Sequence, residues 1–222
     1  MTVETLVPLL VSAIIGYLFG SIPSGYLAVR AFTGQDVRQI GSGRTGGTNV
    51  LRVPGAGRPA FLATIIGDIS KGALAVLLAR FLFGSLTQPL GIFMLGDCAQ
   101  LVAGLCAIVG NNWSLFLRGQ GGAGVMTATG TLLAIAPWPA LALGWLPVII
   151  VRVTRIASIG SLTAAVLGPL WFLLLAFLGY EPFSHFWYMI AIGILLVVVH
   201  MPNIQRLRAG RERRIGEAVK KE

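Results

Sequence analysis

Residues 125–151 read VMTATGTLLAIAPWPALALGWLPVIIV, and the way this apolar stretch is counted decides the fold. Taken as one helix it crosses a membrane once. Pro137 and Pro139, on either side of Trp138, argue against that, because proline removes a backbone N–H and disfavours helix at the residue before it. The stretch then divides into an arm that goes in, Val125–Ala136, and an arm that returns. At 1.5 Å per residue the first arm, about 12 residues, rises only ~18 Å, well short of a hydrocarbon core of ~30 Å. Its start at Gly121–Gly124 is therefore expected at membrane depth, where irregular backbone survives only if it is buried in protein or lines a wet cavity.

The basic residues demand the same division. Arg38, Arg44, Arg52 and Arg58 share the segment Gly34–Arg58 with one acid, Asp36. Arg118 precedes the quoted stretch and Arg152 and Arg155 follow it. A tail running from about residue 201 to 222 carries Arg206, Arg208, Arg211, Arg213, Arg214, Lys220 and Lys221. The alternate connections, around Ser85–Gln88 and Tyr180–Ser184, contain only Glu181. Basic loops stay in the cytoplasm, and all four basic regions share one side only if residues 125–151 cross twice. With the other apolar runs, Leu6–Phe32, Pro59–Phe83, Pro89–Gly110, Ile159–Tyr180 and Phe186–Val199, the count is seven. The expectation is an all-α polytopic membrane protein, a single integral membrane domain over residues 1–222. Its seven transmembrane helices are joined by re-entrant Gly-rich loops on the cytoplasmic side, with the N-terminus outside and the C-terminus inside.

Composition agrees. Of 222 residues 55% are hydrophobic and only 11% charged, against roughly 25% charged in soluble domains, and the mean hydropathy is +0.82. That excludes an ordinary soluble globule and a disordered chain. The net charge of +9 is a membrane-orienting surplus and suggests no nucleic-acid partner. The start, Met1-Thr2-Val3-Glu4, lacks a basic signal-peptide region, so the first run is expected to be retained. Cys98 and Cys106 are eight apart in one apolar run, too far to bridge on a helix. With neither a CxxC nor a His/Cys metal spacing, no metal and no cofactor are expected.

Two Gly-rich stretches carry the candidate chemistry. Residues 41–52 read GSGRTGGTNVLR. Gly41 and Gly43 let backbone N–H groups approach an anion, Ser42, Thr48 and Asn49 add polar side chains, and Arg44 and Arg52 add guanidinium forks. The same residues also fit a flexible loop meeting lipid headgroups. Gly121, Gly122 and Gly124 open a helix, and helix N-termini bind anions. Asp68 and Lys71, three apart in an apolar run, form either a functional pair, with Lys71 a candidate substrate ligand, or an internal ion pair. His200, Asn203 and Arg206 lie at i, i+3 and i+6, on one side of a helix. Ser158 is either a helix N-cap or a ligand. A GxSxG elbow and a His-x4-Asp dyad are both absent, so no general base is evident.

Taken in order, GSIPSG (20–25), GSGRTGGTNVLR, GDISKG (67–72), the GGAG turn and His200-x-x-Asn203-Ile204-x-Arg206-Leu207 resemble the bacterial acyl-phosphate:glycerol-3-phosphate acyltransferase family, PlsY, of which this chain looks like a divergent member. The resemblance implies a seven-helix enzyme of the bacterial inner membrane, active in phospholipid biosynthesis. Such an enzyme moves an acyl group from acyl phosphate to glycerol 3-phosphate, giving lysophosphatidic acid, and is served by a soluble acyl-phosphate-forming enzyme. It implies that Ser42, Arg52, Ser158, His200 and Asn203 hold phosphates or reacting groups and that Gly121, Gly122 and Gly124 supply backbone donors. The family pattern has Lys where this chain has Ala123, His where it has Asn111, Asn where it has Arg44, and often Arg where it has Met201. Those departures leave a second reading, a non-catalytic or transporting membrane protein for phosphorylated small anions.

Overall fold

Pro23 breaks the first apolar run. Helix α1 (Val3–Ser21) stops before it and α2 (Ser24–Thr33) starts after it, with Gly34 at φ 70° closing the second helix. The structure, a computed structural model, describes residues 2–215, so Lys220 and Lys221 of the basic tail lie outside the described residues. A one-turn helix α3 (Gly47–Val50) follows, and then the long α4 (Gly57–Phe83). The run expected from Pro89 begins differently. Pro89–Leu90 (β1) and Phe93–Met94 (β2) pair as a short antiparallel hairpin around Gly91 at φ 64°, and α5 runs over Leu95–Asn112.

The quoted stretch divides where its prolines predict. Helix α6 covers Val125–Ile135 and α7 covers Pro137–Thr154. Helices α8 (Ala157–Phe177), α9 (Phe183–Val199) and α10 (Met201–Arg208) complete the order. Five spans are long and apolar enough to cross a membrane: Val3–Thr33, α4, Leu95–Leu117, α7 and α8. The bent pair α9 and α10, inclined by 60°, makes a sixth. The protein is thus a multi-pass membrane protein, and the hairpin is the one strand pair among the described residues.

Two compact units divide the chain, Met1–Pro137 and Trp138–Glu222. In the first, α1 lies along α5, and α4 packs against α1, α2, α5 and α6. Small residues make these seams close. A Cβ on Gly16 would stand 2.1 Å from the Ala103 carbonyl oxygen, one on Gly20 2.0 Å from that of Ala107, and one on Gly130 2.0 Å from that of Ile69. In lipid, where apolar faces gain little by leaving solvent, such backbone approach supplies the packing. In the second unit α8 packs on α9 around Phe172, Met189 and Ile192.

Candidate active site

In the first unit, residues 36–53 are clamped before they can bind anything. Val37, Val50 and Val53 are buried with Ala28 and Val29 of α2 and Ala60 of α4, and Tyr26, Ile40 and Phe61 pack around them. Asp36 caps the turn that follows by accepting the Arg38 N–H at 2.9 Å, and its carboxylate receives Arg38 Nη2 at 2.6 Å. That side-chain pairing, the largest influence, holds the Asp36 carboxyl below its ordinary 3.8 and pushes the guanidinium up. Asn49, 2% exposed, staples the loop. Its Oδ1 accepts the Ser42 N–H at 2.9 Å, and its Nδ2 donates to the carbonyls of Val37, Ile40 and Arg44. Asn49 was expected to touch a ligand; its amide is instead spent on the loop. Gly41, at φ 60°, must be glycine, because a Cβ there would meet Asn49 Oδ1 at 2.4 Å. Around this staple Ser42 is exposed, and Arg44, Thr48 and Arg52 are half-buried.

The second Gly-rich stretch meets the first. The Thr45 N–H donates to the Gly121 carbonyl at 3.2 Å, and Arg38 Nη1 reaches Gln120 Oε1 at 3.4 Å. Gly122 N–H bonds to the Asn111 carbonyl at 2.9 Å, so the turn folds back on the end of α5. A Cβ on Gly121 would lie 2.2 Å from that same carbonyl oxygen. Gly124, at φ 78°, is the N-cap of α6 and offers no side-chain cap.

Lys71 is 4% exposed and donates to Asp68 Oδ1 at 2.8 Å, to Asn111 Oδ1 at 2.7 Å and to the Ile22 carbonyl at 2.8 Å. An ammonium has three donors. All three are committed, which makes Lys71 a support under the turn and corrects its expected role as a direct ligand. The GSIPSG segment is the joint that makes this possible. Pro23 frees the Ile22 carbonyl at a helix end, and the Ser21 carbonyl and hydroxyl hold Ser114 and Leu115.

The second unit gathers Ser158, Asn203 and Arg206 around one acid. Glu212 Oε1 accepts from Ser158 Oγ at 3.1 Å and from Asn203 Nδ2 at 2.8 Å, and Oε2 accepts from Arg206 Nε at 2.8 Å. The N-cap of α8 is Ile156, so Ser158 does not cap and instead orients the tail. Ile215 N–H donates to the Arg155 carbonyl at 2.7 Å and pins the tail beyond Glu212. His200 is 4% exposed, with Nδ1 2.8 Å from the Leu196 carbonyl. A carbonyl only accepts, so Nδ1 carries a proton and donates it to this bond. The sequence reading missed Glu212. Its signal was an acid among five arginines, between residues 206 and 214.

Known proteins resemble this chain over nearly its whole length. The family model described as "Glycerol-3-phosphate acyltransferase" matches residues 10–210. The chain belongs to the glycerol-3-phosphate acyltransferase family. A relative named glycerol-3-phosphate acyltransferase from Cereibacter sphaeroides is 40% identical over 220 residues, covering 96% of this chain and 92% of the relative. Another of that name, from a Synechococcus species, is 43% identical, covering 94% of each chain. Two crystal structures of PlsY (YgiH), described as an integral membrane glycerol 3-phosphate acyltransferase, share the fold. The glycerol 3-phosphate form has TM-score 0.77 at 32% identity, covering 94% of this chain and 96% of that one. The lysophosphatidic acid form has TM-score 0.76 at 31% identity, covering 94% and 95%.

Within the acyltransferase family the structure gives one departure a physical sense. Asn111 stands where the family resemblance implies histidine, and its Oδ1 accepts from the Lys71 ammonium at 2.7 Å. A histidine would have to keep a ring nitrogen unprotonated to do the same. Ala123, half-buried beside Gly122 and Gly124, has no such compensation of its own.

Proposed function

We propose that this membrane protein acylates glycerol 3-phosphate to lysophosphatidic acid with acyl phosphate as donor. The observation that carries the acceptor and product is the near-full-length likeness to acyltransferases whose solved forms hold glycerol 3-phosphate and lysophosphatidic acid. The donor rests on the family resemblance and on the chemistry. A glycerol hydroxyl attacks the acyl carbonyl, the C–O bond to phosphate breaks, and the departing phosphate takes the hydroxyl proton. The leaving group is its own base, so positioning and stabilisation of charge suffice. The alternative of a non-catalytic anion binder is not favoured by these relatives.

In the first unit, Ser42, Arg44, Arg52 and Thr48 with the glycines at 41 and 43 form one anion cradle, and the Gly121–Gly124 turn at the α6 N-terminus forms another. In the second unit His200 and Asn203 hold a substrate phosphate or the reacting groups, with Ser158 beside them. Seven crossings follow if α6, α7 and α9 each count as one, with the basic regions in the cytoplasm of a bacterial inner membrane and the N-terminus outside. A soluble enzyme that forms acyl phosphate is the expected cytoplasmic supplier.

The test is purified protein in lipid with palmitoyl phosphate and glycerol 3-phosphate, followed for lysophosphatidic acid. Product above the protein-free rate supports the reading. None, with Ala123→Lys equally inert, overturns it.

A further inference from the structure

In the second unit the chain end folds back on the joint between α7 and α8. Gly210, at φ 65°, turns the chain out of α10, and the Arg211 N–H returns to the Arg206 carbonyl at 2.8 Å. Glu212 then accepts from Ser158 Oγ at 3.1 Å, and the Ile215 N–H donates to the Arg155 carbonyl at 2.7 Å. Residues 212–215 therefore run beside residues 155–158. The tail arginines, Arg211 and Arg213, with Arg208 at the end of α10, come into the neighbourhood of Arg152 and Arg155 at the joint.

All five are exposed, and none of their side chains has a hydrogen-bond or ion-pair partner among the described residues. The acids do not balance them. Between residues 138 and 215 the acids are Glu181 and Glu212. Glu181, past the opposite end of α8, pairs with His185 at 2.7 Å. Glu212 is committed to Ser158, Asn203 and Arg206. Arg155 also holds φ 59°, where glycine or asparagine sits with less strain, which points to a use for its side chain.

The apolar residues beside this face decide its partner. Val148, Ile149 and Val153 of α7 are 56%, 57% and 79% exposed, in a helix apolar enough to cross a membrane, so they meet acyl chains. Arg152 adjoins Val153, and Arg155 follows within one turn. An unpaired guanidinium is costly among acyl chains and extends to the interface. Arg152 and Arg155 therefore mark the level where acyl chains give way to headgroups, and the tail bonded to this joint lies there too. Helix α10 fits the same level. It is inclined by 60° to α9, has no buried residue, carries Arg206 and Arg208 in its last turn and leaves Met201 47% exposed; basic amphipathic helices lie along a bilayer surface.

We propose that Arg152, Arg155, Arg208, Arg211 and Arg213 form a docking surface for anionic phospholipid headgroups. Phosphodiester oxygens accept from guanidinium forks, and an anionic leaflet attracts each basic residue held near it. Glu212 ties the chain end to α8 from within, and lipid holds it from without, so Asn203 and Arg206 are fixed from both sides. The surface stands independently of the acyl-transfer reading.

Hydrogen exchange over residues 201–215 of the full chain tests this in two kinds of nanodisc, phosphatidylcholine alone and phosphatidylcholine with about 30% phosphatidylglycerol. Exchange is expected to slow at least about threefold with phosphatidylglycerol in ~0.05 M salt and to become equal near about 0.5 M, because salt screens exposed charge. Arg208→Gln/Arg211→Gln/Arg213→Gln leaves the Glu212 bonds in place and is expected to exchange alike in both discs. If that variant does not accumulate, Arg152→Gln/Arg208→Gln is used instead, and the lipid effect should fall by at least about half.

Equal exchange of the wild type in both lipids at low salt overturns the proposal. So does a lipid effect that persists undiminished in the variants. Heparin, a soluble polyanion, is added to the phosphatidylcholine discs as a third arm. Protection by phosphatidylglycerol, with or without protection by heparin, upholds the lipid surface. Protection by heparin alone overturns it and assigns the face to an acidic soluble partner.

Discussion

The Asn49 side-chain oxygen accepts the Ser42 backbone N–H at 2.9 Å while its nitrogen donates to three carbonyls of the same loop. One amide therefore fixes the conformation that presents Ser42. Asn49→Asp keeps the shape and replaces both N–H donors by an acceptor facing three carbonyl oxygens. The expected outcome is loss of at least about 2 kcal/mol from this loop and a fall in kcat/KM of a hundredfold or more. Membrane insertion is expected to stay normal, and steady-state kinetics with a fractionation control checks this.

How far the sequence alone reaches is clear from the same loop. Its glycines, hydroxyls and arginines fit an anion cradle, and they fit a loop meeting lipid headgroups as well. Nothing in the spacing separates the residue that staples from the residues that bind, since Asn49 and Thr48 are equally plausible donors until three carbonyls converge on one of them. The proline logic at Pro137 gave the helix break at α6 and α7, since backbone chemistry there is local. Pro89–Met94 was less legible, because a six-residue apolar hairpin and a helical turn share one composition. Glu212 escaped notice because the partner that ties it to α8, Ser158, is 54 residues away in sequence.

The α1–α5 seam gives a stability prediction. A Cβ on Gly20 would lie 2.0 Å from the Ala107 carbonyl oxygen, whereas one on Gly144 meets nothing within 4 Å. Gly20→Val must push the helices apart and is expected to cost about 1–3 kcal/mol. Gly144→Ala is expected to be neutral or better. Thermal unfolding in detergent compares them; equal midpoints would show that the seam does not limit stability.

Glu212 supplies a separate test in the second unit. Its side chain is 7% exposed and takes hydrogen bonds from Ser158, Asn203 and Arg206. Glu212→Gln removes the charge and turns an N–H2 towards one of those donors. A drop in kcat/KM of at least about tenfold is expected, since a charge-assisted bond is worth ~1.5–3 kcal/mol. Ser158→Ala, which removes one bond, should lose less stability than Glu212→Gln by thermal unfolding.

Asp36 adds a pH dependence with a defined sign. Arg38 holds its carboxyl below the ordinary 3.8, so the native state binds this proton less readily than the unfolded chain. The contribution is complete above about pH 4 and is lost as pH falls through the lowered native value. Asp36→Asn is therefore expected to unfold at a lower temperature than wild type at pH 6, with the gap closing towards pH 3. A gap that is constant across that range would remove the ion pair from the account.

Ala123 is where a single substitution should improve the enzyme. It stands half-buried between Gly122 and Gly124, next to the first turn of α6, where the helix dipole and unpaired N–H groups already favour an anion. A lysine there adds a charge-assisted bond to the phosphate, worth ~1.5–3 kcal/mol, so Ala123→Lys is expected to lower KM for glycerol 3-phosphate about tenfold or more. The new contact is an ion pair, so the gain should shrink as salt rises from about 0.05 to 0.5 M. The wild type, which relies on neutral donors at this turn, should lose less over the same range. Kinetics at several ionic strengths decide the matter: a KM unchanged by the lysine at low salt would mean that the acceptor phosphate does not sit at this turn.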